Sequence, residues 1–158
     1  MSAASKAPEA FEPFDAREQD PLALLHFAFR AVVAEPDTRL ARLGLGRVHH
    51  RILFFIARTP RLRVMDLSAT LGVTKQALHH PLRELLRQKL VQSRAEPGNL
   101  RERRLTLTAA GRALERRLSG HQRRAFAAAF RGAGASAARG WREVMRELVS
   151  RCGPAAPR

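Results

Sequence analysis

Two short helical patterns joined by a glycine turn most constrain the fold of this chain. The first extends from Met65 to Leu71 and ends at Gly72, a residue type that caps helices in the left-handed conformation. The second follows Thr74, a good N-cap, and continues to about Lys89. Its inward positions at helical spacing are Leu78, Leu82, Leu85 and Leu86. Two short helices around a tight glycine turn predict a helix-turn-helix.

The segment after the second helix has the pattern of a short hairpin. Leu90–Ser93 and Arg104–Leu107 are strand-like runs on either side of a turn at Pro97-Gly98-Asn99. A helix-turn-helix followed at once by a basic hairpin is typical of a winged helix, which places one helix in the major groove and its β-turn on the flanking backbone. The predicted fold is therefore mainly α with a small β-hairpin wing.

Two helices are predicted before this region. Asp20 and Pro21 form a helix start, because an acid is a good N-cap and proline is tolerated at the first helical position. This helix has two apolar stripes, which predicts burial on two sides, and Pro36 is expected to end it. The next helix covers about Gly46 to Arg58 and is apolar nearly all round, as expected of a central helix.

Helices also dominate the carboxyl-terminal part of the chain. Thr108 is the predicted N-cap of a long helix that reaches about Arg131, and Gly132 and Gly134 are expected to interrupt it. A last helix ends before Gly153 and has these apolar positions: Trp141, Val144, Met145, Leu148 and Val149.

Charge points to a polyanionic partner. The chain has 29 Lys and Arg against 14 Asp and Glu, a formal net charge of +15. Residues 1–20 have five acids and two bases, so the excess positive charge lies in the rest of the chain. Between Thr74 and Arg104 there are eight bases and three acids. A cationic surface of this kind favours nucleic acid, since binding releases the counterions condensed on it.

Other function classes find little support. The longest apolar run, Ile52 to Ala57, is too short to cross a membrane, and residues 1–20 lack the apolar core of a secretory signal, so a cytoplasmic protein is expected. Cys152 is the only cysteine, which excludes an internal disulfide and a multi-cysteine zinc site and favours an inert thiol. No tyrosine, glycine-rich phosphate loop or nucleophile motif is found, so neither enzymatic activity nor a cofactor is predicted.

The outward side of the second helix of the pair has residues suited to reading bases. Gln76 can bridge the N6 and N7 atoms of adenine, and Lys75 can bind guanine or a phosphate. His79 or His80 can donate to a purine N7. The alternative is a basic side that only contacts solvent, and the basic hairpin next to it argues against that alternative.

Two segments resemble the MarR family of bacterial transcriptional regulators: LSATLGVTKQALHHPLRELLRQKLV at 67–91 and RLTLTAAGRAL at 104–114. The first is similar to the family's helix-turn-helix, including Thr74-Lys75 at the start of the recognition helix. The second is similar to its strand, L-T-x-x-G and helix. The resemblance covers roughly residues 20–150 and implies a homodimer whose terminal helices interlock, with each winged helix on one half of a pseudo-palindromic double-stranded DNA operator.

The resemblance also implies a division of the chain. The parts are a flexible N-terminal arm (1–19), an N-terminal dimerisation helix and connection (20–45), the winged helix-turn-helix (46–110), C-terminal dimerisation helices (111–152) and a tail (153–158). Many members release DNA when a small phenolic or carboxylate ligand binds. A repressor released by such a small organic ligand is the expected function.

The chain departs from the family pattern at the wing and in the recognition helix. The wing usually has D-x-R, whereas this chain has Asn99 before Arg101, so the aspartate that braces the minor-groove arginine is an amide. Glu102 or Glu96 could supply the brace instead. Pro81 lies inside the recognition helix, where it either introduces a kink that re-aims the histidines or occupies a buried bend without effect on base reading.

These arguments give a predicted set of DNA contacts. Bases in the major groove would be read by Lys75, Gln76, His79 and His80. Arg101 would enter the minor groove beside Asn99. Phosphates would be bound by Thr74, Arg83, Arg94 and Arg103.

Several histidines lie on the three helices that enclose the ligand pocket in the family. The candidate pocket residues are His26, Arg30, His49, His50, Arg51 and His121. They could bind a carboxylate or phenolate, or be structural. No H-x-x-x-H or H-E-x-x-H spacing supports a zinc site, so no metal ligand is assigned. The rival functions are a nonspecific architectural nucleic-acid-binding protein and a metal-responsive regulator of the same fold.

Overall fold

The computed structural model describes residues 20–59, 61–96 and 98–153. It forms two compact units, one ending at Ala31 and the other beginning at Val32. The predicted N-terminal arm (1–19) and most of the tail lie outside the described residues. The elements in chain order are α1 (Pro21–Ala41), α2 (Arg47–Arg58), β1 (Leu62–Arg63), α3 (Val64–Leu71), α4 (Lys75–Arg87), β2 (Val91–Glu96), β3 (Asn99–Leu107) and α5 (Ala109–Cys152).

Helix α1 begins where the sequence predicts and continues beyond its expected end. The Asp20 carboxylate accepts a hydrogen bond from Leu22 N at 2.8 Å, as an N-cap should. Pro36 does not end the helix, so that prediction is wrong. A proline inside a helix costs about 3 kcal/mol, and burial of Pro36 itself and of Leu40 one turn later offsets the missing backbone donor. The prediction that α1 is buried on two sides is also wrong for the single chain, since Leu25 of α1 is exposed.

The helix-turn-helix is confirmed with its caps. Gly72 ends α3 in the left-handed conformation, with φ of 64°. Ser68 Oγ donates to Val73 O at 2.6 Å and closes the turn. Thr74 Oγ1 accepts from Ala77 N at 3.1 Å at the start of α4. Pro81 is buried, and α4 continues through it as one helix.

The wing contains a strand more than the sequence predicts. The three strands are antiparallel in the order β1-β3-β2, and β1 pairs Leu62 with Leu105. Two residues are too few to show a strand periodicity, so β1 could not be recognised from the sequence. A register shift between Ala95 and Glu96 interrupts the ladder next to the turn.

The core surrounds α2, as its apolar composition predicts. Ile52 and Leu53 are fully buried. The inner face of the sheet and one side of α4 pack into the same core, which also includes Leu67, Leu78, Leu85, Leu105 and Leu118. This common core holds α4 and the wing in one rigid arrangement.

Helix α5 folds back on itself at Gly134. That residue has φ of 89° and ψ of 163°, a conformation essentially restricted to glycine. The rings of Phe126 and Trp141 lie 5.3 Å apart, whereas a straight helix rising about 1.5 Å per residue would separate positions fifteen apart by about 22 Å. The interruption predicted in this region is thus confirmed at Gly134, between a first segment (109–133) and a second segment (135–152).

Candidate nucleic-acid interface

Helix α4 has one buried side and one exposed side. Leu78, Leu82 and Leu85 anchor it in the core. The four side chains predicted to read bases are all exposed: Lys75, Gln76, His79 and His80. At helical spacing they lie together on the side opposite the leucines. The structure therefore presents the predicted base-reading group on one side of an anchored helix.

The two arginines on the same exposed side of α4 differ in their partners. Arg87 donates to Glu84 at 2.6 Å, and this hydrogen bond, followed by one from Gln88, lowers the pKa of Glu84 to about 2. Arg83 is exposed and has no carboxylate within 4.0 Å in the part of the chain that the structure describes. Arg83 is thus available to a phosphate, while Arg87 is occupied.

Carboxylates hold the base of the wing together. Glu96 accepts from Arg104 Nε at 2.5 Å and also pairs with Arg61. The hydrogen bond from Arg104, and then that from Arg61, hold the pKa of Glu96 below its ordinary value despite partial desolvation. Glu102 pairs with Arg104 Nη2 at 2.8 Å. Both acids that the sequence offers as wing braces therefore contact Arg104.

The tip of the wing is described only in its backbone. Asn99 and Arg101 belong to β3, but their side chains lie outside the described part of the chain. The minor-groove role of Arg101 and the participation of Asn99 therefore remain predictions.

The predicted phosphate-binding residues of the wing lie on opposite faces of the sheet. Ala95 pairs with Arg103 and Arg94 with Arg104, and neighbours along a strand point to opposite faces. Arg103, on the face of the core, donates to Ser93 Oγ at 2.8 Å and to Ser93 O at 2.9 Å. Arg94 is exposed on the outer face. Only Arg103 shares a sheet face with the core-packed α4.

A tight junction joins the first segment of α5 to the end of α4. Thr108 Oγ1 donates to Lys89 O at 2.7 Å and accepts from Gly111 N at 3.0 Å. A Cβ on Gly111 would lie 1.9 Å from Leu90 O, so only glycine fits there. The T-x-x-G spacing in the sequence is the signal for this contact, although a role for the glycine was not predicted from it.

A buried polar network, also missed from the sequence, connects α2 to α5. Ser119 Oγ donates to Glu115 Oε1 at 2.7 Å, and Arg58 Nη1 donates to the same oxygen at 3.0 Å. His50 Nε2 lies 3.3 Å from Ser119 Oγ, whose proton is already given to Glu115, so His50 donates. Burial would raise the pKa of Glu115, but the hydrogen bonds from Ser119 and Arg58 hold it below its ordinary value.

The predicted ligand-pocket residues have different surroundings. His49 Nδ1 accepts from Gly46 N at 2.9 Å and caps α2, whereas His50 belongs to the buried network, where burial lowers its pKa. His121 Nδ1 lies 3.5 Å from Glu35 Oε2, and Arg51 is exposed.

The remaining two candidates for the ligand pocket lie in the unit that ends at Ala31. The His26 ring packs edge-on against Phe27, with centroids 5.2 Å apart. Arg30 is exposed.

The described residues contain neither a metal-binding cluster nor a helix that could cross a membrane. No group of three or more His, Cys, Asp or Glu in residues 20–59, 61–96 and 98–153 is arranged to bind a metal ion. Within the same ranges, no helix has the length and apolarity needed to cross a bilayer.

Comparisons with known proteins agree with this architecture. A MarR family model matches residues 43–102, from the connection before α2 to the wing. The HTH-type transcriptional regulator PetP of Rhodobacter capsulatus is 45% identical over 125 residues, which cover 79% of this chain and 75% of PetP.

Solved structures share the fold at lower identity. A MarR family transcriptional regulator from Silicibacter pomeroyi matches with a TM-score of 0.67 and 22% identity, over 82% of this chain and 87% of that one. The S. aureus MepR–DNA complex matches with a TM-score of 0.69 and 16% identity, over 84% and 98%. NadR in complex with 4-hydroxyphenylacetate matches with a TM-score of 0.66 and 20% identity, over 86% and 96%.

The structures establish the fold, and the identity to PetP extends the relationship to most of the chain. This chain has the elements that these relatives share by fold. They are a helix-turn-helix whose second helix is anchored and polar, a three-stranded wing and a long, folded-back α5. The chain belongs to the MarR family of helix-turn-helix transcriptional regulators.

Proposed function

We propose that this chain is a homodimeric repressor that binds a specific, pseudo-palindromic site in double-stranded DNA and is released by a small aromatic or carboxylate ligand. The observation that carries the proposal is the exposed side of α4. Lys75, Gln76 and the two histidines next to Pro81 are free to reach base edges, because the leucines opposite them bury the rest of the helix. The MepR–DNA complex is a neighbour with the same fold.

Phosphate contacts would set the position of α4 on the duplex. Arg83 has no carboxylate partner among the described residues, Arg103 is ordered by Ser93 on the inner side of the wing, and Thr74 is exposed at the N-terminus of α4. Such contacts fix register without reading sequence, whereas Gln76 and Lys75 would supply the preference for one sequence. The net charge of +15 would strengthen binding to any duplex.

Dimerisation is supported by exposed apolar side chains at both ends of the described chain. Monomeric proteins rarely expose contiguous apolar patches, and such patches mark interaction sites. On α1 these side chains are Leu22, Leu25 and Phe29, and on the second segment of α5 they are Trp141, Val144, Leu148 and Val149. A second copy would cover them and place two recognition helices on successive major grooves, roughly 34 Å apart.

Ligand release is supported by a cationic cavity between α1 and α5. The cavity has a volume of about 470 Å³, and its charged lining is Glu35, Arg39, Arg116, Arg117, His121 and Arg124. Arginine forks suit carboxylates, and the structural neighbour NadR was solved with 4-hydroxyphenylacetate. A ligand there would weaken DNA binding by its preference for a dimer with misplaced recognition helices.

The test is fluorescence anisotropy with DNA from immediately upstream of the protein's own gene, in the presence of excess random duplex. We expect the affinity for the operator to exceed the affinity for random duplex by about 10³-fold or more. Gln76→Ala should weaken operator binding by about tenfold and leave random-duplex binding unchanged, because one good bidentate base contact contributes about 1–3 kcal/mol. Gln122→Ala, a glutamine on α5, is the matched control and should change neither.

Two outcomes would contradict this proposal in different ways. Equal affinity for every duplex, including sites selected from the whole genome, would assign the chain to architectural, nonspecific binding. Release of DNA by Zn²⁺ but not by aromatic acids would assign it to the metal-responsive regulators of this fold.

A further inference from the structure

The outer face of the wing sheet contains a cavity separate from the recognition helix. It lies between β2, β3 and the first turn of α5 and has a volume of about 460 Å³, within the range of about 300–1,000 Å³ typical of small-molecule sites. Four arginines line it: Arg61, Arg94, Arg104 and Arg112. None of these belongs to α4 or to the α1–α5 cavity.

Strand register forces like charges together at this cavity. Arg104 of β3 is directly opposite Arg94 of β2 and also opposite Arg63 of β1. Three arginines thus form one row across the three-stranded sheet. Like charges directly opposite each other destabilise a sheet pair, so this arrangement needs compensating negative charge.

The chain supplies that charge to only part of the row. Asp66 pairs with Arg63 at 2.6 Å, and Glu96 and Glu102 contact Arg104 at 2.5 and 2.8 Å. Glu96 also pairs with Arg61, which lies outside the row. In the described part of the chain, neither Arg94 nor Arg112 has a carboxylate within 4.0 Å.

Arg112 is nevertheless fixed in place. Its Nη1 donates to Leu107 O at 2.7 Å, which holds the guanidinium at the cavity, and its other donors have no hydrogen-bond partner among the described residues. Gln92 and Thr106, paired across the strands, add an amide and a hydroxyl to the same lining. The cavity therefore combines two unneutralised guanidinium groups with neutral hydrogen-bonding groups.

We propose that this outer-face cavity binds a phosphate group, with Arg94 and Arg112 as its principal ligands. A phosphate presents several charged oxygens in a non-planar arrangement and can accept from two guanidinium forks and an amide at once, whereas a carboxylate has only two oxygens, both in one plane. The phosphate belongs either to a free phosphorylated small molecule or to the backbone of bound DNA. The proposal does not depend on sequence-specific DNA binding by α4.

The first experiment uses pyrophosphate as the probe. Isothermal titration of the full chain at constant ionic strength should show binding, and Arg94→Gln or Arg112→Gln should each weaken it by about tenfold, as expected for loss of a charge-assisted hydrogen bond. Arg139→Gln, an exposed arginine on the second segment of α5, removes the same charge elsewhere and should leave binding unchanged. Thermal unfolding of each variant verifies that it is folded.

The second experiment distinguishes the two sources of phosphate with random duplex DNA over a range of salt concentrations. For a backbone phosphate, each variant weakens binding to any duplex and reduces the slope of log affinity against log salt by about 1 relative to Arg139→Gln. If the phosphate belongs to a free small molecule, the two variants lose affinity for pyrophosphate but bind DNA as tightly as Arg139→Gln does. If both variants match Arg139→Gln in pyrophosphate binding and in DNA binding, the cavity is not a phosphate site.

Discussion

The two segments of α5 have similar compositions but different surroundings. The first segment (109–133) buries Gly111, Glu115, Leu118 and Ser119 against the winged helix. The second segment (135–152) buries only Ala138 among its described residues and leaves Val144 55% exposed. Both segments are rich in alanine and arginine, so composition does not distinguish them.

One helix therefore packs against its own chain in one segment and leaves apolar side chains exposed in the other. Partners of the first segment lie in this chain, at Leu90 and Arg58. We propose that the partner of the second segment is a second copy. In a dimer held together at the second segment, the first segment would then determine the position of α4. The junction at Gly111 and the buried network leave the first segment little freedom to move relative to the winged helix.

The largest effect is expected from a substitution that disrupts the proposed dimer contact of the second segment. Val144→Asp places a charge in the proposed dimer contact and should halve the particle mass in light scattering. Affinity for operator DNA should fall by about a hundredfold, since a monomer loses the avidity of two linked half-sites. Circular dichroism should not change, because Val144 is exposed in the single chain.

Ser150→Asp is the control for this dimer test. It adds the same charge on the opposite side of the second segment, nine residues from Trp141, and should leave the mass and the affinity unchanged. If Val144→Asp retains the parental mass, the dimer contact does not include the second segment.

A smaller but still large effect is expected at the junction of the first segment. Gly111→Ala puts a Cβ 1.9 Å from Leu90 O and forces the backbone apart. Overpacking of this kind costs about 1–3 kcal/mol or more, which urea unfolding would measure. At Gly120 an added Cβ comes no closer than 3.4 Å to Arg124, so Gly120→Ala should stabilise α5 slightly. Equal stability of the two variants would contradict the tight junction.

The buried network should give a pH-dependent effect of intermediate size. The pKa of Glu115 is held below its ordinary value by Ser119 and Arg58, against the opposing effect of burial. Because the pKa of Glu115 is lower in the folded state than its unfolded value near 4.5, its ionised carboxylate stabilises the folded state when the pH is above that unfolded value. This stabilisation is lost as the pH falls through the folded-state pKa.

Glu115→Gln should therefore cost about 1–3 kcal/mol at pH 7. Its unfolding free energy should also fall less steeply than that of the parent between about pH 5 and 3. Glu147→Gln, which removes the exposed ion pair with Arg151 on the second segment, should change stability by less than about 0.5 kcal/mol. Parallel pH profiles for the parent and Glu115→Gln would exclude the network from acid stability.

The most local effect is expected at the turn between the two segments. Gly134→Ala imposes a side chain at φ of 89° and should cost about 1–3 kcal/mol locally. Trp141, the only tryptophan, would move away from Phe126 and Phe130, so its fluorescence should shift to longer wavelength. Gly132→Ala, within the regular helix, is the matched control and should leave the emission unchanged. An unshifted spectrum in Gly134→Ala would show that the turn does not require glycine.

Much of the fold could be predicted because its signals are local. Thr74 and Thr108 cap the helices that they were expected to cap, and Gly72 takes the left-handed conformation. Helical periodicity also separated the buried leucines of α4 from its polar residues. Each of these features depends on residues a few positions apart, which is the range over which capping and amphipathicity act.

The errors occurred where distant residues decided the outcome. Pro36 lies inside α1 because Leu40, one turn later, is buried in the same core as Ile52 and Leu118, and this burial offsets a lost hydrogen bond. The two-residue β1 exists because Leu105 of β3 pairs with it. Neither packing partner can be recognised from the local sequence.

The sequence by itself determined the helix-turn-helix, the hairpin that follows it, the excess of positive charge and the residues available on α4, because these depend on composition and on short-range periodicity. Tertiary structure alone decided that Arg94 and Arg103 lie on opposite sheet faces, that Glu115 is buried beside Arg58, and that α5 folds back. Strand register and helix packing bring together residues far apart in the chain, and the free energy of those contacts does not depend on local sequence.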